Sequence, residues 1–144
     1  MNIAHLLARK GRGVVTIRPE ETIRQALGLL VQHKIGALVV VDGRQQPVGI
    51  LSERDIVRGA ARDEGVFALV VSGLMTRDVI IGAPHDDVQT VAHTMTERRI
   101  RHVPVMDQGA LVGIVSIGDL VKAQRDQYEG ELETLQTQLL AKQT

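Results

Sequence analysis

Cysteine is missing from this chain, and its aromatic residues are one Phe and one Tyr, with no Trp. Without cysteine there are no disulfide scaffolds, thiol nucleophiles or Cys-ligated zinc. The absence agrees with a reducing compartment, and a cytoplasmic location is expected. With so few aromatics the core must be Val, Ile, Leu and Ala, and bases of single-stranded nucleic acid find no stacking platform. A charge excess is also missing. Seventeen Lys and Arg balance 17 Asp and Glu, so nothing draws the whole chain to nucleic acid or an anionic membrane. Apolar runs such as 37–41 and 66–71 fall far short of the roughly 20 residues of a membrane span. The first ten residues lack the basic-then-apolar order of a secretory signal. HExxH, GxSxG, GxxxxGK[ST] and GxGxxG are absent. The five histidines (His5, His33, His85, His93, His102) are scattered without metal-ligand spacing. Neither catalytic residues nor a metal site is expected, which favours a non-enzymatic role.

What the sequence does contain is a repetition. A chain of 144 residues has room for one compact domain or two very small ones. Residues 14–42 lie over 79–107 at an offset of 65, with Val14/Val79, Pro19/Pro84, Ile35/Ile100, Val40/Val105 and Asp42/Asp107 identical. One residue fewer in the following turn brings 48–57 over 112–121. There six of ten positions match: Val48/Val112, Gly49/Gly113, Ile50/Ile114, Ser52/Ser116, Asp55/Asp119 and Val57/Val121. A period this long denotes a duplicated small domain rather than a solenoid.

Each copy reads β-α-β-β-α. Strands are predicted at 14–17 and 79–81. Pro19 and Pro84, followed by Glu20 and Glu21 or Asp86 and Asp87, suit the first turn of a helix. Ile23, Ala26, Leu27, Leu30 and Val31 then form one helical stripe, as do Val88, Val91, Ala92 and Met95. Buried strands follow at 37–41 and 103–106, hairpin turns at 42–47 and 107–109, second strands at 48–51 and 112–115, and closing helices from Ser52 or Ser116. The linker 59–77 holds a short helix at 66–74, and a matching lead-in helix covers 3–8. The division expected is 1–62, 63–123 and a C-terminal amphipathic helix over 124–144. Tyr128, Leu132, Leu135 and Leu139 give that helix an apolar stripe, to dock on its own body or on another subunit.

Two sets of residues carry possible chemistry. In the first, a strand ends at Ser52 or Ser116 and an aspartate stands three residues on, at Asp55 or Asp119. This is the pattern of a capping box. The same geometry also suits a ligand, with a phosphate at the helix N-terminus and the carboxylate accepting from ribose hydroxyls. Gly118 would allow close approach. The second set is Arg98, Arg99, Arg101 and His102. The helix dipole accounts for the first two. Arg101 and His102 open a buried strand and call for an anion, either a phosphate or a carboxylate. Gly36 and Ala37 stand opposite them in the first copy, so the halves are chemically unequal.

The doubled V-G-I-x-S-x-x-D motif, with the stretches HKIGALVVVD, GILSERDIVR, VSGLMTRDVI and ERRIRHVPVMD, resembles the CBS (cystathionine β-synthase) domain, here as a tandem pair or Bateman module over residues 1–123. The resemblance implies an α/β (α+β) fold. Two units pack with pseudo-twofold symmetry, sheet against sheet, around two clefts, and a C-terminal helix is added. It implies regulatory binding of an adenine nucleotide, with AMP first and NAD(H) or ATP as further candidates, in an energy or redox sensor acting through conformational change. The alternative is a ligand-free dimerisation module for a partner protein. By resemblance, Asp55 and Asp119 hold ribose, while Ser52, Arg54, Ser116, Gly118, Arg101 and His102 line phosphate. Adenine in the Asp119 cleft would meet Arg12, Gly13, Val14, Val15, Ile35, Gly36, Ala37 and Leu38. In the Asp55 cleft it would meet Arg77, Asp78, Val79, Ile80 and Ile100. The Asp119 cleft, with Arg101, His102 and Gly118, is the one expected to take AMP. Glu53 at the mouth of the other would repel a di- or triphosphate unless it points away. A homodimer and a regulated protein are the expected partners, with no nucleic acid and no membrane.

Overall fold

The computed structural model describes residues 1–11 and 13–142. A lead-in helix α1 (Ile3–Lys10) is followed by the first repeat: β1 (Thr16–Ile17), α2 (Ile23–His33), β2 (Ala37–Val41), β3 (Pro47–Ser52) and α3 (Glu53–Arg62). A 3-10 turn (Val66–Ala68) and α4 (Val71–Leu74) form the linker. The second repeat is α5 (Val88–Arg98), β4 (His102–Asp107), β5 (Ala110–Ser116) and α6 (Ile117–Lys142). In the first sheet β1 runs parallel to β2, which pairs antiparallel with β3. The second sheet is the antiparallel pair β4–β5.

The strand expected at 79–81 does not form; a single parallel bridge, Gly82 to Val105, stands in its place. The first copy's strand shortens to Thr16–Ile17. The helix starts also differ from expectation. Pro19 and Pro84 lie upstream of α2 and α5, which are capped by Thr22 and Asp87 and carry no acid in their first turns. The acids close the preceding turn instead. Glu21 accepts from the Arg18 N–H at 2.8 Å and Asp86 from the Ala83 N–H at 2.8 Å. Short carboxylates compete well for such local backbone donors. Both helices end in a left-handed residue, Lys34 and Arg99, each at φ 54°.

Packing crosses the sequence order. α1 buries Ile3, Leu6 and Leu7 in the second repeat's core, with Val88, Val91, Met95, Val103, Val105, Val115 and Leu120. The linker residues Val66 and Val71 join the first repeat's core, with Ile17, Ile23, Ala26, Leu30, Leu38, Val40, Leu51 and Ile56. Each lead-in presses on the glycine of the V-G-I motif. A β-carbon at Gly49 would come within 2.6 Å of Met75 Sδ, and one at Gly113 within 2.7 Å of Leu7 Cδ2. The doubled glycine thus has a packing reason in both copies.

α6 runs unbroken for 26 residues, through the boundary expected near 123. Its last buried residue is Ala123, and Tyr128, Leu132, Leu135 and Leu139 are 42–63% exposed. The stripe therefore does not dock on the chain's own body. No helix among the described residues is long and apolar enough to cross a membrane.

Candidate functional site

The site is built on the turn from β3 into α3. Ser52 caps α3 through its hydroxyl, which accepts from the Asp55 N–H at 3.2 Å. Asp55 Oδ2 accepts in return from the Ser52 N–H at 2.9 Å. The capping box is complete, and it fixes the carboxylate at the helix N-terminus. It engages one oxygen; the other, Oδ1, meets the Thr76 hydroxyl at 3.4 Å. Ser116 and Asp119 repeat the box at the start of α6, with bonds of 3.1 and 2.8 Å.

In front of Asp55 opens a cleft of about 310 Å³ between the repeats. One wall comes from the first repeat: Gly36, Ile50, Ser52, Glu53, Arg54, Asp55 and Arg58. The other comes from the second: Thr76, Asp78, Val79, Ile80, Arg99, Ile100, Arg101 and His102. Because 79–81 is not a strand, the backbone of Asp78 and Ile80 makes no backbone hydrogen bond among the described residues. Polar edges are left beside the apolar faces of Val79, Ile80 and Ile100. Arg54, Arg58, Arg99 and Arg101 form no ion pair among the described residues. Four guanidiniums thus face three carboxylates. Glu53 is drawn toward Gly36, whose missing β-carbon would lie 3.8 Å from its carboxyl carbon.

The second cleft is different. Lys10, the last residue of α1, donates to Asp119 Oδ2 at 2.6 Å and to the Ile114 carbonyl at 2.7 Å. Burial, the largest influence on Asp119, pushes its carboxyl up. The hydrogen bonds from Lys10 and the Ser116 N–H, with the charge of Lys10, outweigh burial and hold the group below the usual carboxylate range. His102 is held below the usual imidazole range, first by burial and next by the charges of Lys10 and Arg101, against Asp119 and Glu53. A smaller pocket of about 180 Å³, lined by Met1, Leu6, Arg9, Lys10, Asp119, Lys122, Ala123 and Asp126, adjoins this pair.

The structure distributes the expected residues unevenly. Asp55, Ser52, Arg54, Asp78, Val79, Ile80 and Ile100 come together as grouped in the sequence. Gly36, Arg101 and His102, grouped there with Asp119, line the Asp55 cleft. The reason is that Arg101 and His102 enter β4 beside the unpaired 78–80 segment. Leu38 is fully enclosed in the first core and Ala37 is 5% exposed, so neither side chain presents a face to a ligand. Ile35 packs against that same core, as does Val15. Arg77 turns aside to donate to the Ser72 carbonyl at 2.9 Å. Gly13 is exposed and Val14 half-buried; neither they nor Gly118 line the Asp55 cleft or the pocket between α1 and α6. Arg12 lies outside the described residues. Sequence reasoning missed Lys10, Thr76 and Arg58, and assigned Arg99 to a helix dipole. Arg58 had a signal, four residues after Arg54 on one helix face. Lys10 had none.

The model of the CBS domain family matches residues 10–62 and 71–126, the two repeats seen here. The chain belongs to the CBS-domain family. This CBS pair is 36% identical over 109 residues to the CBS domain-containing protein YhcV of Bacillus subtilis, covering 74% of this chain and 76% of that protein. It is 36% identical over 121 residues to the mitochondrial CBS domain-containing protein CBSX3 of Arabidopsis thaliana, 81% of this chain but 59% of that longer protein. Among solved structures, the CBS-domain protein ATU1752 of Agrobacterium tumefaciens has a TM-score of 0.82 at 42% identity, covering 86% and 99% of the two chains. The CBS domain pair of protein MJ0100, solved with 5′-methylthioadenosine and S-adenosyl-L-methionine, has a TM-score of 0.78 at 27% identity, covering 88% and 98%.

Proposed function

We propose that this CBS pair is a regulatory module that binds an adenine nucleotide in the Asp55 cleft. The observation that carries the reading is the meeting, in one cleft, of a fixed carboxylate with a backbone edge and four guanidiniums that are unpaired among the described residues. Asp55 Oδ1 accepts from the ribose hydroxyls. Val79, Ile80 and Ile100 pack on the adenine face while the backbone of Asp78 and Ile80 reads its edge. Phosphates lie toward Arg54, Arg99 and Arg101 at the N-terminus of α3, where the guanidiniums and the positive end of the helix dipole favour anions. The adenosyl ligands of MJ0100 support the base and sugar part of this reading.

The cleft joins both repeats, so a ligand favours whichever arrangement of them it fits better, by its differential affinity. The response passes to a second copy or a regulated protein, and the exposed stripe of α6 favours such association. The test is a thermal-shift panel with AMP, ADP, ATP, NAD, NADH and GTP. A hundredfold excess over Kd is expected to stabilise by about 2.7 kcal/mol, for adenine ligands and not GTP. Asp55→Ala should remove the shift. No shift with any of the six would overturn the reading and favour a ligand-free interaction module.

A further inference from the structure

We infer that Lys10 is a built-in occupant of the second cleft, a specificity-determining residue that sets binding at one nucleotide per chain. The inference rests on the nucleotide reading of the Asp55 cleft.

The comparison of the two copies carries it. In the first repeat Thr76 reaches over the β3–α3 turn. Its N–H donates to the Ile50 carbonyl at 2.8 Å, and its hydroxyl stands 3.4 Å from Asp55 Oδ1. In the second repeat the matching acceptors are the Ile114 carbonyl and the Asp119 carboxylate. Both are taken by one atom, Lys10 Nζ, at 2.7 and 2.6 Å. The difference is one of charge. A sugar hydroxyl replaces a long bond from the uncharged Thr76 hydroxyl and leaves no cation without its counterion. To reach Asp119 it must displace an ammonium held at charge-assisted distance and leave that ammonium without its counterion.

The placement of Lys10 is fixed by packing. Leu6 and Leu7, a turn earlier on α1, are 4% and 1% exposed in the second core, so the helix register brings Lys10 to the first turn of α6. Gly11, at φ 94°, then turns the chain away. The pocket of about 180 Å³ on the far side of the pair is lined by Met1, α1 and α6, with no residue of the first repeat.

The test is isothermal titration with AMP and with ATP on the full chain and on Lys10→Met, which keeps the length of the stem and removes the charge. One site per chain is expected in the natural protein and two in the variant. Lys10→Gln, which keeps a polar side chain but no charge, serves if Lys10→Met does not fold by circular dichroism, and two sites are expected there as well. Two sites in the natural chain, or one in a folded variant, would overturn the role of Lys10 while leaving the Asp55 reading intact. No heat of binding from any chain with either nucleotide would overturn the nucleotide reading itself.

Discussion

Leu7 lies directly on Gly113: a β-carbon on the glycine would approach Leu7 Cδ2 to 2.7 Å and Cδ1 to 3.0 Å. The contact ties the lead-in helix to the second repeat, 106 positions away in the sequence. Overpacking of this kind typically costs about 1–3 kcal/mol. Gly113→Ala should destabilise the protein by that order in chemical denaturation. Leu7→Ala should itself cost about 2–5 kcal/mol through the cavity it leaves. In the Leu7→Ala background the added cost of Gly113→Ala should shrink, because the clashing atoms are gone. Full additivity in the cycle would show that the two residues do not touch.

Acid should destabilise the fold in two windows. His102 has a lowered pKa in the folded state, so the unfolded chain binds the proton more readily. Stability is therefore complete above the ordinary pKa of 6.5 and declines as pH falls below it. The groups acting on His102 are Lys10, Asp119, Arg101 and Glu53. Asp119 is also lowered. Its contribution is present above the ordinary value of 3.8 and is lost as pH falls further, through the folded pKa. His102→Gln should flatten the first window and leave the second; urea titrations at stepped pH measure both.

If a phosphate comes to rest beside His102, its negative charge favours the protonated ring. Binding near neutrality should then take up a proton, and affinity should weaken as pH rises. Titrations in buffers of different ionisation enthalpy read this directly. An observed heat independent of the buffer would put the phosphate elsewhere in the cleft.

The stripe on α6 makes a separate prediction. Leu132 and Leu135 are 42% and 55% exposed, so replacing both with Ser should leave the thermal stability of a dilute monomer within about 0.5 kcal/mol. Sedimentation should show weaker self-association if a second copy covers the stripe.

The duplication was legible because both copies need the same parts: a small residue under a lead-in, a Ser–Asp cap and a buried strand. The spacing of Gly49, Ser52 and Asp55 against Gly113, Ser116 and Asp119 therefore located both candidate sites. Two features were not legible, for physical reasons. An amphipathic pattern says that a helix buries one face, not what it buries it against; hence α1 packs on the repeat that comes later in the chain. A β-branched run such as 79–81 has the composition of a strand, yet β-propensity is decided by tertiary context rather than composition. β4 offers the second copy only the single Gly82 bridge. That missing ladder leaves the backbone of Asp78 and Ile80 open to a ligand. Lys10 belongs with these: a lone lysine at a helix end carries no mark of the carboxylate 109 positions away that it will meet.

α6 begins at the Ser116–Asp119 cap and continues as one rod of 26 residues, about 39 Å at 1.5 Å per residue. Its first turn, gripped by Lys10, is a fulcrum; Asp126 still lies 4.0 Å from Arg9 of α1, and residues 127–142 are exposed. A tilt of about 5° at the cap sweeps the far end through roughly 3 Å over that length. A displacement that size is enough to break or form a side-chain contact. Any tilt at the Ser116–Asp119 cap is therefore larger at the far end of α6 than at the cap itself.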